Sequence, residues 1–527
     1  MISRLCSERI FSMKLLKKLE QSKDIWFLLA TFFGFFLLRL PSLFEPYWYG
    51  DEGIYEVIGF ALRHGRLLYQ GIWDNKPPLL YLMYAIVNGN QGGAKFLSLI
   101  AGLGAVFVFF YLSKRFFTDT KIIFTTTGIF AFLLASPLLE GNIANAENFM
   151  ILPILLAGYC IVFIVQKIND GYTHASHSSY KILNTLRLRS GQAKYFILLF
   201  SGLLLGIAFL FKVVAVFDFG AFGLFAFYVL CKNRREFFPS ILKLFPLGIG
   251  FVLPILLTAF YFASKGLLND FIHSTFSSNV GYVNYSNQLA SPIGGLFVPQ
   301  GFLIIKLFLL GIFCLWIFFK REKMSIRQLF ISIWLAFSLF NALFSGRPYT
   351  HYMLALLGSL SLFIGLTLYD KKLQKIYSVL LLVLILFLGV NFTFYTKSLG
   401  YFGNFISFMS NHESVTAYRT FFDQATPRDY DIATFYQRHK KPGDTLFVWG
   451  DNGQVYKLAG ILPPGRFIVA YHMTMTKANR QETADLLKKN PPKFIVILPN
   501  RPVIPMSLEN YSEIVIIGNA VIYERNF

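Results

Sequence analysis

The chain has 527 residues, of which 55% are hydrophobic and only 15% charged, with 60 Phe and a mean hydropathy of +0.52. An average soluble domain carries about 25% charged residues, so a disordered chain, a fibrous protein, a nucleic-acid-binding domain and a water-soluble enzyme are poor readings. A polytopic membrane protein remains, and the formal charge of +21 then asks which side of the membrane the Lys and Arg residues occupy.

In chain order, a polar start holding Arg4, Arg9, Lys14, Lys17, Lys18 and Lys23 leads into an apolar run with no small-residue cleavage site. That pattern reads as a retained anchor with a cytoplasmic N-terminus. A span needs about 20 mostly apolar residues. Eleven are expected, at about 25–44, 96–113, 121–138, 147–166, 195–212, 214–231, 241–263, 302–319, 328–346, 350–369 and 376–395, with Lys212 to Asp218 turning the chain inside the long run 195–231. With the N-terminus inside, the inner segments net +17, the outer ones through residue 395 net zero, and residues 396–527 net +4. The opposite orientation would place the basic loops outside, against the positive-inside rule. Cys6, Cys160, Cys231 and Cys314 lack metal-ligand spacing and none falls in an outer loop, so no disulfide framework is expected.

The outer loops are the unusual ones. The first, about 45–95, is aromatic, polar and broken by Gly and Pro; the second, 139–147, carries Glu140 and Glu147; the third, 264–301, is rich in Ser, Asn and Tyr. Inner loops are short and basic, apart from 167–194, which has no apolar period and reads as a solvated insertion. After residue 396 the composition turns soluble. Strand-like runs at 445–450, 467–472, 493–499 and 513–524 alternate with helix-compatible segments, the best being Asp431–His439 and Lys477–Lys489. The expectation is a mainly α polytopic domain over 1–395 and an extracytoplasmic α/β domain over 396–527.

The first outer loop concentrates ionisable residues beside the membrane, in Tyr47-Trp48-Tyr49-Gly50-Asp51-Glu52-Gly53-Ile54-Tyr55 and in Trp73-Asp74-Asn75-Lys76-Pro77-Pro78. A carboxylate pair there can supply a general base and a charge stabiliser, and Lys76 before two prolines is a cation held on a stiff backbone. The plainer alternative, in which Asp51-Glu52 cap a juxtamembrane helix and Lys76 snorkels, stands beside it. Glu147, at the start of a span, is either a helix cap or a second acid. Lys212 is costly in lipid and needs a partner or water. Arg347 and His351 form two cations near a helix start, a setting suited to phosphate, or else an interfacial anchor and a satisfied histidine. Mid-membrane stretches are almost free of charge, which disfavours an ion-coupled carrier. Chemistry on the outer face lacks nucleotide cofactors, so an activated group must arrive on a lipid. A lipid phosphate leaving group calls for cations and an incoming hydroxyl for a base.

At these residues the chain resembles the polytopic GT-C glycosyltransferases, in the prokaryotic branch related to protein O-mannosyltransferases and the lipid A aminoarabinose transferase. The features shared are Asp-Glu shortly after the first span, the Gly65-x-x-x-Tyr69…Trp73-Asp74-x-Lys76-Pro77-Pro78 stretch, and Arg347-x-x-x-His351-Tyr352. The resemblance covers the first ten or eleven spans and implies an inverting enzyme fed by a polyprenyl-phosphate-linked sugar. It implies Asp51 as catalytic base with Glu52 beside it, Glu147 as the second acidic position, and Lys76 at the carrier phosphate. Arg347, His351 and Lys212 join Lys76 as phosphate cations, and Tyr55, Trp73, Asp74 and Tyr349 are expected substrate contacts. Aminoarabinose transferases carry a Glu before the lysine, where Asp74 or Asn75 stands here, and a His and an Arg in the third outer loop, where Phe276 and Asn279 stand. That departure speaks against aminoarabinose as donor and against assuming a bound zinc. A divalent metal stays open as cofactor.

The expected function is therefore transfer of a sugar to a hydroxyl of a glycan, lipid or protein at the outer face of the plasma membrane, with membrane lipid as surroundings and no nucleic-acid partner. The alternative class is a lipid-glycan transporter or a receptor.

Overall fold

The computed structural model describes residues 22–170, 192–231, 237–278, 299–344, 349–392, 394, 396–499 and 501–526. The centre of the insertion at 167–194, most of the third outer loop, Arg347 and Asn279 lie outside the described residues.

All eleven expected apolar stretches are helical. In chain order the helices are α1 (Lys23–Arg39), α2 (Gly50–Arg63), α3 (Pro78–Ile86), α4 (Gln91–Phe116), α5 (Thr120–Ala135), α6 (Ala146–Asp170), α7 (Gln192–Phe211), α8 (Val216–Leu230), α9 (Phe237–Ser264), α10 (Leu268–Ile272), α11 (Pro299–Lys320), α12 (Ile326–Phe344), α13 (Tyr352–Tyr369) and α14 (Gln374–Asn391). Among the described residues, eight helices are long and apolar enough to cross a membrane, while Thr120–Ala135 and Gln374–Val390 are apolar but shorter. Apolar side chains such as Phe33, Phe132, Phe260, Phe319 and Val390 stand exposed around the bundle, as a lipid-facing surface requires.

Lipid tails are as apolar as the side chains, so helices in a bundle associate through close packing. Gly202 and Gly206 on α7 face α9, where a Cβ added to Gly202 would lie 2.1 Å from the Leu247 carbonyl oxygen. Any larger residue there would push the two helices apart.

The segment expected as the first outer loop folds into the two short helices α2 and α3. Asp51 and Glu52 occupy the first turn of α2, where carboxylates meet the positive end of the helix dipole. Pro77 is the extended residue before α3 and Pro78 its first residue, which fixes the backbone leaving Lys76.

The last part of the chain contains α15 (Ser398–Met409), α16 (Val415–Phe422), α17 (Thr426–His439), β1 (Leu446–Trp449), α18 (Gln454–Ala459), α19 (Ala470–Thr474), α20 (Lys477–Lys489), β2 (Phe494–Ile497), β3 (Tyr511–Ile517) and β4 (Ala520–Arg525). The sheet order is β1-β2-β4-β3, with β1 parallel to β2 and the remaining pairs antiparallel. Two expectations change. The run 467–472 is not a strand: Phe467, Ile468 and Val469 are buried, but the chain makes single contacts, such as Ala470 N–H to the Gly450 carbonyl at 2.8 Å, and then turns into α19. The run 513–524 is a hairpin rather than one strand, because Gly518 adopts φ +59° and reverses the chain.

Helix α18 packs against α2. A Cβ on Gly53 would lie 2.7 Å from the Gln454 side-chain oxygen and 2.8 Å from its backbone nitrogen, so only glycine allows this approach.

Candidate active site

The turn from α2 into the Trp73–Pro78 stretch builds the centre of the site. Asp51 Oδ2 lies 3.5 Å from Lys76 Nζ and accepts a hydrogen bond from the Tyr55 hydroxyl at 3.0 Å. Tyr55 sits one helical turn on, so its ring faces the same way and Lys76 Nζ rests 4.7 Å above its centre. Lys76 Nζ is also 3.8 Å from Asp74 Oδ2, which takes a hydrogen bond from the Tyr81 hydroxyl at 2.8 Å. The Lys76 backbone is clamped as well, its N–H donating to Tyr81 and its carbonyl accepting from Tyr69. Trp73 donates its indole N–H to Ser274 at 2.9 Å.

Exposure separates the two aspartates. The Asp51 side chain is 40% exposed and that of Asp74 only 2%. Desolvation pushes the Asp51 carboxyl up, but Lys76, His351 and the Tyr55 hydroxyl outweigh it and the repulsion from Asp74, so its pKa sits below the ordinary value. Burial works against the Asp74 carboxylate too, and is overcome by Lys76, His472 and Tyr81, which leave it far below the usual range. Asp51 is thus an ionised, reachable carboxylate, and Asp74 an enclosed one that holds Lys76.

Two further groups come from other helices. Glu147, in the first turn of α6, pairs with Lys212, whose ammonium also lies 4.5 Å from the centre of the Tyr352 ring. His351, just before α13, has Nδ1 2.9 Å from Glu140, to which the Tyr49 hydroxyl donates at 2.7 Å. His351 acts electrostatically on both Asp51 and Glu147, which links the two groups to the centre. Tyr349 is 44% exposed beside His351, their rings stacked at 5.7 Å. Arg347 lies outside the described residues.

Glu52 stands apart from its neighbour in sequence. Successive helical residues point about 100° apart, and Glu52 turns away into the protein at 1% exposure. There it lies 3.2 Å from Lys95 and accepts from the Ala144 N–H at 2.8 Å. Burial raises its pKa, with Glu45 adding to this and Lys95 opposing it. The same Lys95 pairs with Glu45, which in turn accepts from Asn142 and Tyr401. This enclosed cluster ties the first and second outer loops together just ahead of Glu147.

Sequence reasoning missed three participants. Lys95 and Glu45 carried a readable signal, being charges at the edges of apolar runs. His472 carried none: it comes from α19 in the C-terminal part, 1% exposed, with Nε2 3.4 Å from Asp74 Oδ1 and its ring edge-on to Trp73 at 4.9 Å. Among the described residues, no group of three or more His, Cys, Asp or Glu side chains could hold a metal ion.

The fold is similar to that of ArnT from Cupriavidus metallidurans bound to undecaprenyl phosphate, at 13% identity and a TM-score of 0.52, over 95% of this chain and 98% of that one. The apo state of the same protein gives 13% identity and a TM-score of 0.50 over the same shares. The apo oligosaccharyltransferase of Archaeoglobus fulgidus gives 13% and 0.46, over 90% of this chain and 69% of that one. The likeness to ArnT is one of fold, and it bears out the expected fold class. No family model and no curated protein matches the chain.

Proposed function

We propose that the protein is an inverting glycosyltransferase that moves a sugar from a polyprenyl phosphate to a hydroxyl acceptor on the extracytoplasmic face, with the N-terminus in the cytoplasm. The observation that carries this reading is the reachable Asp51 carboxylate 3.5 Å from Lys76, at the end of the bundle where Glu147, Lys212 and His351 also gather. Asp51 takes the proton of the acceptor hydroxyl as its oxygen bonds the anomeric carbon. The bond from that carbon to the phosphate oxygen breaks on the opposite side, and the electron pair leaves with the lipid phosphate. Lys76 meets the charge that develops there, and fixed cations of this kind often supply the largest part of a rate enhancement. Lys212 and His351 extend the positive edge, each already balanced by an acid that orients it. Arg347 is proposed to complete it. Tyr349, 44% exposed, offers aromatic surface to the sugar, whereas Tyr55 and Trp73, expected as substrate contacts, are buried at 1% and 5% and support Asp51, Lys76 and Asp74 from behind.

The fold shared with ArnT, which binds undecaprenyl phosphate in its solved complex, supports the same donor class. The test is a transfer assay in membrane fractions with release of free polyprenyl phosphate as readout. Asp51→Asn and Lys76→Ala, at wild-type expression, should each lower that release by about a hundredfold or more. Near-normal turnover in both would overturn the assignment, and a transporter or receptor would release none in any form of the protein.

A further inference from the structure

The C-terminal part of the chain meets Trp73 through the Arg466 carbonyl and the Phe467 ring, and meets Asp74 through His472. His472 Nε2 lies 3.4 Å from Asp74 Oδ1, while Nδ1 is buried without a hydrogen-bond partner, so Asp74 is the polar group that the ring approaches. Asp74 Oδ1 also accepts from the Asn75 N–H at 2.8 Å, and Oδ2 from Tyr81. Lys76 is pulled by two carboxylates at nearly equal distance, 3.5 Å to Asp51 and 3.8 Å to Asp74. Each N–H or O–H donated to Asp74 spreads its negative charge and weakens its hold on the ammonium, and at Asp51 the Tyr55 hydroxyl does the same. The balance point of Lys76 is therefore set in part from the C-terminal part.

We propose that His472 is a positioning residue that, by donating Nε2–H to Asp74, loosens Asp74 from Lys76 and holds the ammonium free to meet the phosphate of the lipid carrier. The proposal deepens the function proposed above and rests on Lys76 being the phosphate cation.

The rival explanation is packing, since the imidazole edge stands against Trp73 at 4.9 Å. Two variants separate them. His472→Phe keeps an aromatic ring on Trp73 and removes the donor; His472→Gln keeps a donor of similar reach and removes the ring. With undecaprenyl phosphate as the probe and the purified full chain in detergent, Lys76→Ala should weaken binding. His472→Phe should weaken it about tenfold, the scale of one charge-assisted hydrogen bond, and His472→Gln should stay within about threefold of wild type. Because the effect passes through Lys76, the double variant Lys76→Ala, His472→Phe should bind no worse than Lys76→Ala alone. Retained binding in the Phe variant, loss in the Gln variant, or additive losses in the double variant would each overturn the role of His472. If Lys76→Ala itself leaves binding unchanged, the fault lies with the phosphate-site reading instead.

Discussion

Lys212 leaves the end of α7 in an extended conformation and closes onto Glu147 at the start of α6, burying the carboxylate at 3% side-chain exposure and the ammonium at 16%. Removing one member of such a pair strands the other. Lys212→Met should therefore lower stability by about 3–5 kcal/mol, because an uncompensated carboxylate is left inside. Adding Glu147→Gln should recover most of that loss in thermal unfolding of the detergent-solubilised protein, while transfer stays impaired because both groups border the site.

Asp51→Asn keeps the shape and the Tyr55 contact and removes the base. Loss of a general base lowers turnover by about 10²–10⁴-fold. The fall should appear in kcat, with little change in binding of undecaprenyl phosphate, whereas Lys76→Ala should weaken both.

The pH dependence follows from the depressed Asp51 carboxyl. As the proposed base Asp51 acts in its carboxylate form, so activity is expected above its folded pKa and lost as the pH falls through it. Lys76 and His351 hold that pKa below the ordinary 3.8, so the acid limb of kcat/KM should lie below this value as well. In Lys76→Ala the cation is gone, and the acid limb of the residual activity should move upward. A limb that stays in place would separate Asp51 from Lys76 functionally.

Glu56 gives the opposite sign. It is buried on α2, both carboxylate oxygens lack hydrogen-bond partners, and burial, then the charge of Glu52, push its pKa well above 4.5 against the pull of Lys95 and Lys457. A raised carboxyl contributes stability that is complete below its unfolded value and lost as the pH rises through the folded one. Glu56→Gln mimics the neutral form. Its thermal stability should match wild type in acid and exceed it increasingly as the pH climbs above 4.5.

The apolar helices were readable because a bilayer demands long unbroken runs, and the helical stretches found match them to within a few residues. Helix α2 was open as the alternative in which Asp51-Glu52 cap a juxtamembrane helix, whereas α3 was hidden, since two prolines suggest a broken loop. Gly53 is a contact surface, and Pro78 begins a helix. The run 467–472 had strand composition but found no ladder partner, and backbone pairing is a property of the neighbouring chain. Within the site, Asp51 with Lys76 could be inferred from one loop. Glu52 was grouped with Asp51 by adjacency although helical geometry sends it to Lys95. His472 meets Asp74 only through tertiary folding, and nothing in the local pattern of residues 467–472 points there.

The backbone contact between Gly53 and Gln454 carries a consequence for biogenesis. A nascent polypeptide lays down its membrane helices first, and until the ribosome has passed Gln454 the surface around Gly53 has nothing to cover it. Completion of the proposed site therefore waits for the C-terminal part, and a chain released before Gln454 is expected to be inserted yet inactive.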